Sequence, residues 1–276
     1  KVFLRTKMLK SRPIGGNKIK KSTIILFFLI ITLTKTTFAK EFNTEVLHNI
    51  YFGGFLILQS TSKFSGNNES YKISVKSSTK GVLGVFSDWT GEVGSRGVFK
   101  NFGVVPNRYW SKAQNADEVR ITDLKYDKLG NIVLNKVEPL PDPIKVVALP
   151  KGAHMGTIDP LSVISQVARM VSRGHGCAGQ FSIFDGRRRY DLALMDKGTV
   201  NLVASPHNTY EGPALACKVK YKFFGGQNKN RNWGKSDDED NIIFMAPPTI
   251  NAPFIPISAR LTTNYGVLTA QYIKTF

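Results

Sequence analysis

The sequence predicts a mainly β domain. The expected form is a strongly curled antiparallel sheet, a half-barrel or β-spiral, with one amphipathic helix packed on its concave face. Three observations predict it. From Asn49 onward most of the chain alternates apolar and polar residues with period two, the mark of half-buried strands. These runs are short and are punctuated at hairpin spacing by turn signals such as Asp185-Gly186 and Asn264-Tyr265-Gly266. One stretch, "TIDPLSVISQVARMVSRG", changes to three- and four-residue steps.

The N-terminus is set apart before any fold is read. Residues 1–22 carry eight Lys/Arg and no acid, and "TIILFFLIITLT" (Thr23 to Thr34) follows. That run is shorter than the roughly 20 apolar residues of a membrane span. Thr37 and Ala39 place small residues at −3 and −1 of a cut before Lys40. Basic start, short apolar middle and small-residue cut together predict a secretory signal peptide over 1–39, and a single β-rich periplasmic domain over 40–276. The chain opens on Lys1, and Met8 is a candidate start. Nine of the 38 Lys/Arg precede Lys40, which leaves 29 against 20 acids in the domain. A net positive charge of that size favours anionic neighbours such as phosphorylated lipid head groups or acidic glycans. An exported location excludes nucleic acid as the expected partner.

The elements follow in order. "NIYFGGFLILQSTSKFS" (Asn49–Ser65) reads as one long strand bulged at Gly53-Gly54, and "GNNE" turns it into "SYKISVKSSTK". "GEVGSRG" reads as the separator of a pair, "FSDWT" and "VFKNF". "VPNRYWSKA" and "EVRITDLKYD" come next, with a four-residue turn at Asp127 to Gly130. Pro139, Pro141, Pro143 and Pro150 make an irregular connection. In the helix, Asp159 caps, Pro160 takes the first position and Gly174 ends it. Leu161, Ile164, Val167, Ala168 and Val171 form its apolar stripe. Strands resume at 177–184, 187–195, 199–205 and 214–223. The polar loop "GGQNKNRNWGKSDDEDN" precedes "IIFMAPP" and the closing pair. Its acid run lacks the alternating, glycine-centred ligands of a calcium loop.

The arginine run in "CAGQFSIFDGRRRYDLAL" is resolved by register. A tight turn on Asp185-Gly186 would pair Ile183 with Arg188 and Phe181 with Tyr190, and cross-strand partners share a face. Arg188 then lands on the apolar face with Phe181, Ile183 and Tyr190. These four are the candidate ligand-binding residues, with Arg188 reading an anion. Arg187 and Arg189 fall on the polar face and are expected to be solvated. Cys177 and Cys217 are the two cysteines, and in an exported chain they are expected to form a disulfide. Closing their 40-residue loop would contribute about 4 kcal/mol. A metal centre on Cys177 with His175 or His154 lacks the ligand count that zinc requires, so neither metal nor cofactor is expected.

"GHGCAGQFSIFDGRRRYDL", the "IDPLSVISQV" helix, "GVVPNRYW" and the closing "IPISARLTTNYGVLTAQY" resemble the proteobacterial exported proteins of domain-of-unknown-function family 3108. The resemblance runs from about Asn49 to Thr275. It implies an envelope location and a curled β architecture, and it brings no catalytic residues. The chain is also similar, in architecture and not in motif, to envelope-integrity proteins whose spiral sheet wraps a helix.

No G-x-S-x-G elbow, S-x-x-K, H-E-x-x-H or P-loop occurs in the sequence. The expected function is therefore a non-enzymatic periplasmic cell-envelope protein. It would bind a lipid-like or protein ligand in or at the curled sheet and support envelope integrity, peripheral to the membrane at most. The alternatives are a scaffold without a cavity, favoured if only surface contacts matter, and a periplasmic hydrolase using the histidines.

Overall fold

The computed structural model describes residues 41–101, 103–116, 118–230, 241–263 and 265–276. The expected signal peptide and the acid run Asp237–Asp240 lie outside the described residues. Among the described residues there are thirteen strands: β1 (Phe42–Phe52), β2 (Phe55–Gly66), β3 (Ser70–Thr79), β4 (Thr90–Lys100), β5 (Gly103–Asn115), β6 (Glu118–Tyr126), β7 (Ile132–Glu138), β8 (Gly179–Phe184), β9 (Arg189–Leu202), β10 (Gly212–Gly225), β11 (Ile242–Ala246), β12 (Ile255–Thr263) and β13 (Gly266–Thr275). The helices among the described residues are α1 (Gly81–Phe86) and α2 (Pro160–Ser172).

The strands make one antiparallel sheet in the order β7-β6-β5-β4-β3-β2-β1-β13-β12-β11-β10-β9-β8. Two meanders, β1–β7 and β8–β13, are joined through the pairing of β1 with β13. The sheet does not close into a barrel, so β7 and β8 are its edges.

Three strand expectations are corrected. The long first strand is a hairpin: Gly53 and Gly54 have φ of +56° and +88°, and Phe52 pairs with Phe55. Two consecutive positive φ values suit a two-residue turn whose twist matches its strands, and glycine reaches them without a Cβ clash. "GEVGSRG" is the interior of β4 and separates nothing. Its glycines answer close approaches, since a Cβ on Gly94 would sit 2.1 Å from the Trp110 ring on β5. The strands expected at 187–195 and 199–205 are a single β9.

Buried side chains form two clusters. One gathers Val46, Phe64, Leu124, Phe184 and Ile257 with Leu161 of α2. The other gathers Phe181, Ile183 and Leu194 with Val163, Val167 and Val171 of α2. α2 touches β3, β4 and β5 and also β8, strands far apart in the sheet order. Its N-terminus is built as the sequence predicts, with Asp159 as N-cap and Pro160 first. Of the expected stripe, Leu161, Val167 and Val171 are buried, while Ile164 and Ala168 are partly covered. Ser162 and Ser165 are buried with them.

Candidate functional site

The arginine hairpin differs from expectation by two residues of register. Ile183 pairs with Tyr190 and Phe184 with Arg189, and the Asp185 N–H bonds the Arg188 carbonyl at 3.2 Å. The turn is centred one residue later than the Asp-Gly rule places it. Gly186, with φ +89°, takes the first central position, as in glycine-led hairpin turns. The cause is the Asp185 carboxylate. Its Oδ1 accepts from the N–H groups of Arg187 and Arg188 at 2.9 and 2.7 Å. That is an Asx-type closure, which fixes aspartate before the central pair. A shift of two keeps every side chain on its face, since the pleat repeats every two residues.

The shift changes where the arginines stand. Arg188 stands in the turn and not within the strand opposite Ile183. Its side chain is half exposed, and its Nε donates to the buried Asp185 Oδ2 at 2.8 Å. Arg189 is not solvated. Its side chain is 16% exposed, it donates to Asp191 Oδ1 at 2.6 Å and Ser182 Oγ at 3.0 Å, and it lies over Phe224. Arg187 donates to the Glu138 carbonyl at 2.8 Å. Gly186 lies against Thr122 on β6, so this turn touches β6 and β7. Phe181 and Ile183 are core, and Tyr190 packs against them. Burial and the nearby Asp185 raise the Tyr190 phenol far above its ordinary value.

Cys177 and Cys217 are joined as a disulfide with Cα atoms 6.2 Å apart, and both are buried in the cluster that holds Phe181. The bridge ties the segment entering β8 to β10.

The N-terminus of α2 holds a closed polar network. Asp159 is fully buried. Its Oδ1 accepts from the N–H groups of Leu161 and Ser162 at 3.1 and 2.9 Å. Its Oδ2 accepts from Ser95 Oγ of β4 at 3.1 Å and from Ser162 Oγ. Tyr71 Oη of β3 is 2.6 Å from Ser162 Oγ. Burial pushes the Asp159 carboxyl up to about 6, against the pull of these donors. The hydrogen bonds fasten the helix start to two strands. The carboxylate is enclosed among them, which gives it a positioning role.

The other end of α2 borders a cavity of about 300 Å³. Phe42, Phe64 and Ile73 come from β1, β2 and β3, Phe99 from β4, Ile164 and Ala168 from α2, and Phe254 from the segment before β12. Ser165, Arg169 and Arg173 border the same space, as does Lys72. Arg169 carries its guanidinium carbon 4.5 Å above the centre of the Phe99 ring. Its Nη1 and the Ser165 Oγ are buried and have no hydrogen-bond partner among the described residues. Arg188, Tyr190, Phe181 and Ile183 do not border this cavity. Sequence reasoning missed it because its wall is drawn from five separate stretches of the chain. The one local signal was an arginine pair four residues apart at the helix end. No cluster of three or more metal-ligating side chains occurs among the described residues.

The family described as "Protein of unknown function (DUF3108)" matches residues 48–271. The chain belongs to that family. The match spans the strands and α2 alike, cavity walls included except for Phe42. No curated protein matches the chain. Among solved structures it is similar to the beta-barrel-like protein of domain of unknown function DUF1849 from Brucella abortus. Sequence identity is 10% and the TM-score 0.45, over 86% of this chain and 98% of that one.

Proposed function

We propose that this DUF3108 domain is a non-enzymatic, exported envelope protein that binds a lipid-like ligand in the cavity beside α2. The observation that carries the reading is the cavity itself: about 300 Å³, walled by phenylalanine and aliphatic side chains together with polar and basic ones. Ligand pockets have this composition, and the volume is at the lower end of their usual range of about 300–1,000 Å³. One acyl chain suits it better than two. The sheet is proposed to curl around α2. Contact of the helix with both β3–β5 and β8, and of the Asp185–Arg188 turn with β6 and β7, supports that shape. The basic and apolar N-terminal stretch supports export to the periplasm.

A scaffold role has its own support elsewhere on the surface. α1 buries none of its residues, and Val85, Phe86 and the nearby Phe55 are exposed. Exposed apolar side chains grouped in this way mark contact surfaces.

Mass spectrometry of periplasmic protein under native conditions separates the two readings. A co-purifying amphiphile, absent from an Ala168→Phe variant that still folds, supports the carrier. Protein that is ligand-free in both forms, with a partner lost on Phe86→Ser, would move the conclusion to the scaffold.

A further inference from the structure

The cavity beside α2 carries one sign of charge only. Lys72, Arg169 and Arg173 border it, and among the described residues no Asp or Glu does. Arg169 and Arg173 are four residues apart in the last turn and cap of α2, so they lie on one face. A basic residue in the last helical turn is favoured by the dipole. The dipole does not account for Arg169 Nη1, which is buried beside Phe99 without an acceptor among the described residues. Ser165, one turn earlier, presents a second buried group of the same kind. Buried donors are almost always paired, and those that are not call for a ligand or a cost. Burial and the neighbouring Arg173 also lower the proton affinity of Arg169, as expected for a cation with no counter-charge at hand.

We infer that the ligand of this cavity is a single-chain amphiphile with an oxyanion head, a carboxylate or a phosphate. Its chain lies among Phe42, Phe64 and Ile164, and its head accepts from Arg169, Arg173 and Ser165. This rests on the cavity being a ligand site. Arg169 offers planar paired donors that match both kinds of oxyanion.

The test is binding of decanoate, decyl phosphate and uncharged decanol, each below its micelle threshold, to the mature protein and to Arg169→Gln and Arg173→Gln. The expected result for wild type is affinity at least about tenfold higher for either anion than for decanol, weakening with added salt. Each variant should lose about tenfold for the anions and less than about twofold for decanol, with its melting temperature as the check on folding. Preference for decyl phosphate points to a phosphorylated lipid head, and preference for decanoate to a free fatty acid. Either supports the inference. Equal binding of all three ligands, or anion binding unchanged in both variants, overturns the oxyanion head and leaves the cavity reading standing. Saturable binding of none of the three overturns the cavity reading itself, and this inference with it.

Discussion

The two ends of α2 treat buried polar groups in opposite ways. At its start, Asp159, Ser162, Ser95 and Tyr71 exchange hydrogen bonds until their side-chain oxygens are engaged. Toward its end, Ser165 and Arg169 bury a hydroxyl and a guanidinium nitrogen with no hydrogen-bond partner among the described residues, beside a cavity. The ends belong to one helix and pack on overlapping strands, so burial alone does not distinguish them. The satisfied end is understood as architecture. The unsatisfied end places uncompensated donors where a ligand would reach them, and that is what makes it the candidate site.

The largest expected effect tests the closed end. Asp159→Ala removes the N-cap and strips acceptors from Ser95, Ser162 and two backbone N–H groups. Cap loss costs about 1 kcal/mol, and each buried donor left unmet about 1–3 kcal/mol more. A loss of about 4 kcal/mol in denaturant unfolding is expected. A loss below about 1 kcal/mol would show that water or a rearranged backbone replaces the carboxylate, and the contrast between the ends would weaken.

A sharper form of the comparison uses two serines three residues apart. Ser162 and Ser165 are both buried in α2. Ser162→Ala breaks its bonds to Asp159, Ser95 and Tyr71 and should cost about 2–3 kcal/mol. Ser165→Ala removes a hydroxyl with no partner and adds a better helix former. It should be neutral, or stabilising by up to about 1 kcal/mol. Equal costs for the two would mean that Ser165 is paired in solution, and the polar side of the cavity would lose one of its two unmet groups.

Legibility in the sequence follows the same division. α2 and its caps could be read because Asp159, Pro160 and Gly174 act locally, within a turn of where they stand. Most strands could be read because their pattern is local too. The faces of β8 and β9 survived an error in turn centre because that error was even. What escaped was decided by partners remote in the chain. Gly94 is a strand glycine because Trp110 fills its space from β5, and nothing near Gly94 announces it. α1 carries no amphipathic period, since it buries nothing. The cavity combines β1–β4, α2 and the approach to β12. Its arginines carry no local sequence signal beyond their spacing, whereas in the Arg187–Arg189 run Arg188 and Arg189 are each paired with a nearby aspartate.

The smallest expected effect is a cancellation, and it tests whether the closed end is enclosed as tightly as the network implies. Burial pushes Asp159 up from 3.8 to about 6. A carboxyl with a raised folded-state value adds stability that is full below about 3.8 and is lost as the pH rises through about 6. Burial pushes His48 of β1 the other way, from 6.5 down to about 4, while its Nε2 stays within 3.0 Å of the Pro256 carbonyl. An imidazole with a lowered value adds stability above about 6.5 that is lost as the pH falls toward 4. Each shift corresponds to roughly 3 kcal/mol at about 1.4 kcal/mol per pH unit, with opposite slopes over nearly the same window. The wild-type protein should therefore keep its stability within about 1 kcal/mol between pH 4 and 6.5. Single variants expose the hidden slopes. Asp159→Asn keeps a capping side chain and removes one titration, so the variant should lose roughly 3 kcal/mol as the pH falls from 6.5 to 4. His48→Gln should lose a similar amount as the pH rises from 4 to 6. The measurement is the denaturant midpoint of each protein across the window. If the His48→Gln profile is flat between pH 4 and 6, Asp159 stays ionised in the fold. The four donors around it then outweigh burial, and the start of α2 holds a stabilised anion with no strain stored in it.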